Sequence, residues 1–266
     1  MNQTINPSQP PAASNQPAQA TVDSLVSDLQ KLGVQPGRDM FVHSSLKSVG
    51  AVDGGPTTII AAMRQALGPA GTLLMPTFNL VAGGNEGRAK NWNIQTTPST
   101  VGYLTEFFRT MPQTLRSEHF SHAVSAQGPK AQWYTEGHMS QDGMDSPWDL
   151  LPWGKPFGSQ SPLIRLYDQD AYLLMLGVDY HTSTYTHVVE VMDFNRRKKL
   201  RPNASYFFVD RPMLGAWWDR HGDVQRGKVG QAACRLFSIR RYVDSLCKLV
   251  ETQPDYWFRW FDKSVY

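Results

Sequence analysis

Two short apolar runs separated by a helical stripe narrow the possible folds of this chain more than any other feature. Asp39-Met40-Phe41-Val42 reads as a buried strand that runs straight into His43-Ser44-Ser45-Leu46. Gly50, Gly54 and Gly55 break the stretch that follows. Ile59, Ile60, Met63 and Leu67 then recur at helical spacing, with Gly68 placed to close the helix. Gly71-Thr72-Leu73-Leu74-Met75-Pro76-Thr77 is a second buried strand that ends at a proline. Continuous apolar strands alternating with amphipathic helices predict an α/β layered domain with a parallel sheet at its centre.

Other segments extend this pattern. Leu25, Val26, Leu29 and Leu32 form a stripe that Gly33 can cap. A third strand is expected over Ala171 to Val178. A small antiparallel element is expected over Ser205 to Val209, and a helix from about Val229 to Glu251. The segments 79–92 and 138–158 are long, irregular and rich in Gly, Pro, Asp and Trp. Such loops in a compact domain are usually functional or disordered, and Trp148 and Trp153 favour order. Residues 1–20 hold almost no bulky apolar group, so they cannot offset the entropy of ordering and read as a disordered tail. Residues 21–266 then make one domain.

Composition removes several classes of function. A formal net charge of +3 over 266 residues does not call for a nucleic acid partner. No apolar run approaches the roughly 18 residues that would span a bilayer, and no basic-then-apolar leader opens the chain. A cytoplasmic protein with no membrane partner is the expectation, as a monomer or homodimer. The 2 cysteines, Cys234 and Cys247, form no CxxC or Cys/His cluster, so buried free thiols are expected and a metal site is not.

The densest chemistry lies in Leu173 to Glu190. An apolar run stops at Gly177, a hydroxyl-rich loop follows, and His187 and Glu190 appear three residues apart. On a helix these two share a face. A carboxylate beside an imidazole makes a general base near neutral pH, although the same spacing also suits a surface ion pair. His43-Ser44-Ser45 and Thr77 each follow a buried strand, where open α/β sheets bind ligands. Simple helix capping is the alternative for the serines. Arg116 to Ser125 carries His119 and His122 three apart; a metal would need a third ligand that nothing nearby supplies, so a pocket-lining loop is the better reading. Arg196-Arg197-Lys198-Lys199 with Arg201 reads as a solvated helix end.

In this order the blocks resemble the aminoglycoside 3-N-acetyltransferase family. Phe41 to Leu46 with Gly50, Gly54 and Gly55 is similar to its first glycine-rich block, and Gly71 to Phe78 to its GTLxMPT strand. Arg116 to Gly128 is similar to its RSxHPxxS segment, with Phe120 at the proline position and Ala123 at a usual serine. Trp153-Gly154, Ser161-Pro162-Leu163, the T-x-x-H-x-x-E ending at Glu190, and Gly227 to Leu236 complete the match. The resemblance implies an αβα layered domain distinct from the common acetyltransferase fold. It implies acetyl transfer from acetyl-CoA to a small-molecule amine. His187 oriented by Glu190 is the implied base. His43, Ser44, Ser45 and Leu46 are implied to contact the coenzyme A arm, and Thr77 the thioester end, as a catalytic and cofactor-binding residue. His119, Asp149 and Trp153 are candidate acceptor contacts. The acceptor stays open. Asp142, Asp145, Asp149 and Glu86 in the loops are offset by Arg88, Lys90 and Lys155, which is no clear acidic trap for a polycation. An aminoglycoside, an amino sugar and a biosynthetic amine are all compatible, as is a coenzyme A-binding homologue without activity.

Overall fold

The computed structural model describes residues 19–260. Most of the expected tail, residues 1–18, lies outside them. Ala20, at the end of the expected tail, donates its N–H to the Ala51 carbonyl at 2.9 Å.

Among the described residues, seven strands make one sheet: β1 Met40–Ser44, β2 Leu73–Pro76, β3 Leu115–Arg116, β4 Val124–Gln127, β5 Tyr172–Leu176, β6 Gln225–Val229 and β7 Ala232–Ser238, in the order β3-β4-β2-β1-β5-β7-β6. Helices cover both faces. α1 Val22–Leu32, α2 Pro56–Leu67, α3 Gly84–Lys90, α4 Tyr103–Thr110 and α5 Ala131–Thr135 precede β5, as does α6 Pro162–Asp168. α7 Tyr185–Leu200, α8 Arg211–His221, α9 Ile239–Thr252 and α10 Pro254–Trp257 follow it. None of the described helices is long and apolar enough to cross a membrane.

Strand alternation divides the core in two. Met40, Val42, Leu73, Met75, Leu174 and Leu176 pack toward α1, α2 and α4. Phe41, Leu74, Leu173, Met175 and Phe237 pack toward the side that carries α6 to α9. The result is the expected αβα layering. The sheet, however, is not mostly parallel. β1–β2 and β1–β5 pair in parallel, while β2–β4, β3–β4, β5–β7 and β6–β7 are antiparallel. Parallel neighbours need a crossover such as α2, whereas antiparallel strands such as β6 and β7 can be joined by a tight return.

Two further expectations are corrected. The segment from Val229 to Glu251 is not one helix: β7 occupies Ala232–Ser238 and only then does α9 begin, with the Ser238 hydroxyl accepting the Arg241 N–H at 3.0 Å. Val229 and Ala232 face each other across a two-residue turn whose Gly230 has φ +58°, a hairpin geometry that glycine permits. Cys234 therefore sits on a strand. Ser205 to Val209 forms no strand, only a single bridge from Val209 to Phe258.

The basic run at the end of α7 is split: Lys199 and Arg201 are exposed, as expected of a solvated helix end, whereas Arg196, Arg197 and Lys198 are tied into the fold. Arg197 is buried with its Nε donating to Asp193 at 2.7 Å, Arg196 pairs with Asp193, and Lys198 pairs with Asp145. The Lys198 contact, with Asn195 Nδ2 donating to the Asp145 carbonyl at 2.8 Å, pins the 138–158 loop to α7.

Candidate active site

The carboxyl ends of the parallel strands open into a cavity of about 480 Å³. His43 and Ser44 reach it from β1, Pro76 and Phe78 from the end of β2, and Ser183, Thr184 and His187 from the start of α7. Trp148 and Arg88 close it from the two long loops, and Arg211 enters from the first turn of α8. Segment 79–92 is thus partly helical (α3), and both segments contribute walls through Leu80, Arg88 and Trp148.

His187 and Glu190 lie one turn apart on α7. His187 Nδ1 donates to Glu190 Oε2 at 2.6 Å. The Glu190 carboxylate is fully buried, and two other donors complete its shell: the Tyr206 hydroxyl at 2.8 Å and the Val209 N–H at 2.9 Å. Burial, then the neighbouring Glu190, pushes the Tyr206 phenol well above its ordinary range, so it remains a donor. A carboxylate can only accept, which places the proton of the neutral imidazole on Nδ1 and the lone pair on Nε2. That lone pair accepts a hydrogen bond from Arg211 Nη2. The Trp148 ring packs edge-on against His187, with centroids 4.8 Å apart, and fixes the imidazole from the loop side.

His43 is held differently. Its Nε2 accepts the Thr184 N–H at 3.2 Å, joining the end of β1 to the start of α7. Burial, then the charge of Arg211, lowers its pKa to about 3, so it stays neutral at physiological pH. Ser44 Oγ is buried on the cavity wall with no hydrogen-bond partner. A buried hydroxyl left unpaired is costly, and a ligand carbonyl would satisfy it.

A shallower trough meets the cavity at Thr182, lined by Ser45, Ser48, Gly177 and Gln231. Gly177 sits at φ +64°, and a Cβ there would lie 2.3 Å from Ser48 Cβ, so only glycine lets the Ser45–Ser48 turn close on the end of β5.

A profile for aminoglycoside 3-N-acetyltransferases matches residues 41–251. The chain belongs to that family. It is therefore a CoA-dependent N-acetyltransferase, with acetyl-CoA as cosubstrate. Among curated relatives, aminoglycoside N(3)-acetyltransferase IV of a Salmonella species is 34% identical over 236 residues, 82% of this chain and 83% of that protein. The SPbeta prophage-derived aminoglycoside N(3')-acetyltransferase-like protein YokD of Bacillus subtilis is 28% identical over 257 residues, covering 84% and 90%. The crystal structure of YokD superposes with a TM-score of 0.74 at 25% identity, over 90% of this chain and 96% of that one. AAC-IIIb in its binary complex with CoASH gives 0.70 at 25% identity, over 89% and 98%. The unpaired Ser44 hydroxyl and the glycine-floored trough beside it fit a long, amide-bearing arm of the kind coenzyme A presents.

Other residues singled out from the acetyltransferase motifs stand elsewhere. Thr77 is buried with its hydroxyl 3.0 Å from Ser125 Oγ and donating to the Ala123 carbonyl at 3.2 Å. Pro76 and Phe78 line the cavity, and the alternation of the strand turns Thr77 to the opposite face. Leu46 packs into the core on the α1–α2 side, and Ser45 lines the trough rather than the cavity. His119 is buried, its Nδ1 accepting the N–H groups of Ser121 and His122 at 3.2 and 3.1 Å, which braces the loop from within. Asp149 accepts the Ser146 N–H and hydroxyl, and Trp153 packs near Phe120; neither is on the cavity wall.

Arg211, Tyr206 and Val209 were invisible as site residues because they approach His187 and Glu190 from 16 to 24 positions away. One local sign existed for Arg211: it opens α8 just after the capping Asp210, where a cation opposes the helix dipole.

Proposed function

We propose that this chain transfers an acetyl group from acetyl-CoA to an amine of a small molecule, with His187 as general base and Glu190 as the group that orients it. The observation that carries the reading is the His187–Glu190 contact at 2.6 Å, with the Nε2 lone pair turned to the cavity wall at the ends of the parallel strands. Acetyl-CoA supplies an activated acyl carbon joined to a good leaving group.

An aliphatic amine is protonated at neutral pH and cannot attack. His187 takes one proton at Nε2 while Glu190 stabilises the resulting imidazolium. The amine nitrogen then bonds the acyl carbon as the carbon–sulfur bond breaks. A second N–H proton goes to the departing sulfur, so the sum is one amide, one thiol and one released proton. In this reading the Ser44 hydroxyl, buried and unpaired on the cavity wall, donates to the thioester oxygen as negative charge develops. Neither cysteine serves as nucleophile: burial pushes the Cys234 and Cys247 thiols up to about 11 and about 12.

Related enzymes have been seen with aminoglycosides, including AAC(3)-IVa in complexes with a gentamicin and with apramycin. An aminoglycoside or amino sugar is therefore the first acceptor class to try. The test is a panel of aminoglycosides, amino sugars and amino acids with acetyl-CoA, following thiol release. Acceptor-dependent release that disappears in His187→Ala supports the reading. Release that persists unchanged in that variant removes His187 from the mechanism. Coenzyme A binding without transfer to any amine would favour a non-catalytic homologue.

A further inference from the structure

The cavity wall carries two guanidinium groups and, among the described residues, no carboxylate. Glu190, the carboxylate behind His187, is sealed from the cavity and already accepts from three donors. Neither arginine makes an ion pair within the described residues. Arg88 donates from Nε to the Val81 carbonyl at 3.1 Å and from Nη1 to Ser121 Oγ at 3.4 Å. Arg211 donates from Nη1 to the His181 carbonyl at 3.1 Å and from Nη2 to His187 Nε2. A guanidinium has five N–H donors, so both keep donors to offer a ligand.

Arg211 is placed against local electrostatics twice. It stands at the first position of α8, where the helix dipole disfavours a cation. It also covers the one lone pair that an acceptor ammonium must reach. A polycation would meet two unneutralised positive charges here, with no carboxylate among the described wall residues to receive its amines. An anion would instead find a planar donor fork beside the base.

We infer that the acceptor is a small amine carrying its own anion, a carboxylate or phosphoryl group a few bonds from the amino nitrogen. Its anion draws the Arg211 guanidinium off His187 Nε2 as its ammonium takes the vacated place. The inference rests on His187 being the base. It makes Arg211 a specificity-determining residue. The phosphates of coenzyme A are the other source of an anion, but the long pantetheine arm separates them from the thioester, and Arg211 contacts the imidazole at the reacting end.

The experiment compares matched acceptors with saturating acetyl-CoA: β-alanine and 4-aminobutyrate against their carboxamides, muramic acid against glucosamine, and tobramycin as the polycation. The expected wild-type result is a kcat/KM for each anionic amine roughly tenfold or more above its neutral partner, the range of a charge-assisted hydrogen bond. In Arg211→Gln that ratio falls toward one, while the KM for acetyl-CoA changes less than about twofold, because a fork that holds the acceptor's anion adds little to coenzyme binding. Arg211→Lys, which keeps the charge but loses the fork, retains part of the preference and guards against a folding defect in the glutamine variant. Tobramycin preferred over every anionic amine overturns the inference and leaves His187 as base intact. So does a preference that Arg211→Gln leaves unchanged, and so does a rise in acetyl-CoA KM as the main effect, which would assign Arg211 to the coenzyme. No transfer to any amine overturns both this inference and the reading of the site.

Discussion

His187 and a cluster of three histidines that reaches the same cavity through His122 have opposite surroundings. His187 has a buried carboxylate on one ring nitrogen, a lone pair on the other, and 16% of its side chain exposed. His119, His122 and His138 sit together at and beneath the cavity floor, with His119 5.9 Å from His122 and 5.1 Å from His138 between ring centroids. His119 and His138 bond to backbone N–H groups and a serine hydroxyl rather than to a carboxylate. Burial is the largest cause that lowers all three pKa values, to about 3 for His138, and mutual repulsion adds to it for His119 and His122. These rings are neutral struts. On the proposed reading, a histidine near a cavity serves as a base through a partnered nitrogen and a reachable lone pair, and proximity alone makes a packing element.

Removing each kind of histidine in turn should separate the two roles. His187→Ala should lower acetyl transfer by roughly two to four decades, as expected for a lost general base, with acetyl-CoA binding retained by calorimetry. A smaller loss, about one to two decades, is expected for Glu190→Gln, which weakens the base through its orientation. Full activity at unchanged stability would make the pair structural. His119→Leu should do the reverse: it strands the Ser121 and His122 amides and costs about 1–3 kcal/mol in urea unfolding, while turnover per folded molecule stays close to wild type.

The buried rings also set an acid limit. His43, His119, His122 and His138 have folded pKa values below the ordinary value of 6.5, so the unfolded chain binds more protons as pH falls through that value. Their contribution to stability is complete above 6.5 and is lost below it, continuing toward about 3 for His43 and His138. Each ring adds up to about 1.4 kcal/mol per pH unit in this window. Unfolding free energies measured from about pH 7.5 down to about 4.5 should fall with pH, and His138→Gln should make the decline shallower by about one proton. A flat profile would mean that these rings are hydrated or charged in the fold.

How much could be read in advance followed from distance along the chain. His187 and Glu190 were legible because one helical turn brings them together, and β1, β2 and β5 because buried strands are continuous apolar runs. Thr77 was placed at the right strand end but on the wrong face, since one residue of parity reverses a side chain. The hairpin of β6 and β7 was missed because its signal is a single Gly-Gln turn between strands that also suit an amphipathic helix. Tyr206, Val209 and Arg211 complete the site through tertiary packing, which no local pattern reports. The segment holding His119 and His122 looked functional because its spacing is shared by a pocket wall and by the brace beneath it.

Whether His187 and Glu190 act as one unit is tested most directly by a double-mutant cycle on kcat/KM. If Glu190 works through the imidazole, its removal costs little once the imidazole is gone, so His187→Ala/Glu190→Gln should be about as active as His187→Ala alone. Losses that multiply across the two substitutions, in variants with wild-type circular dichroism, would show that the residues act independently and would contradict the assignment of His187 as a base oriented by Glu190.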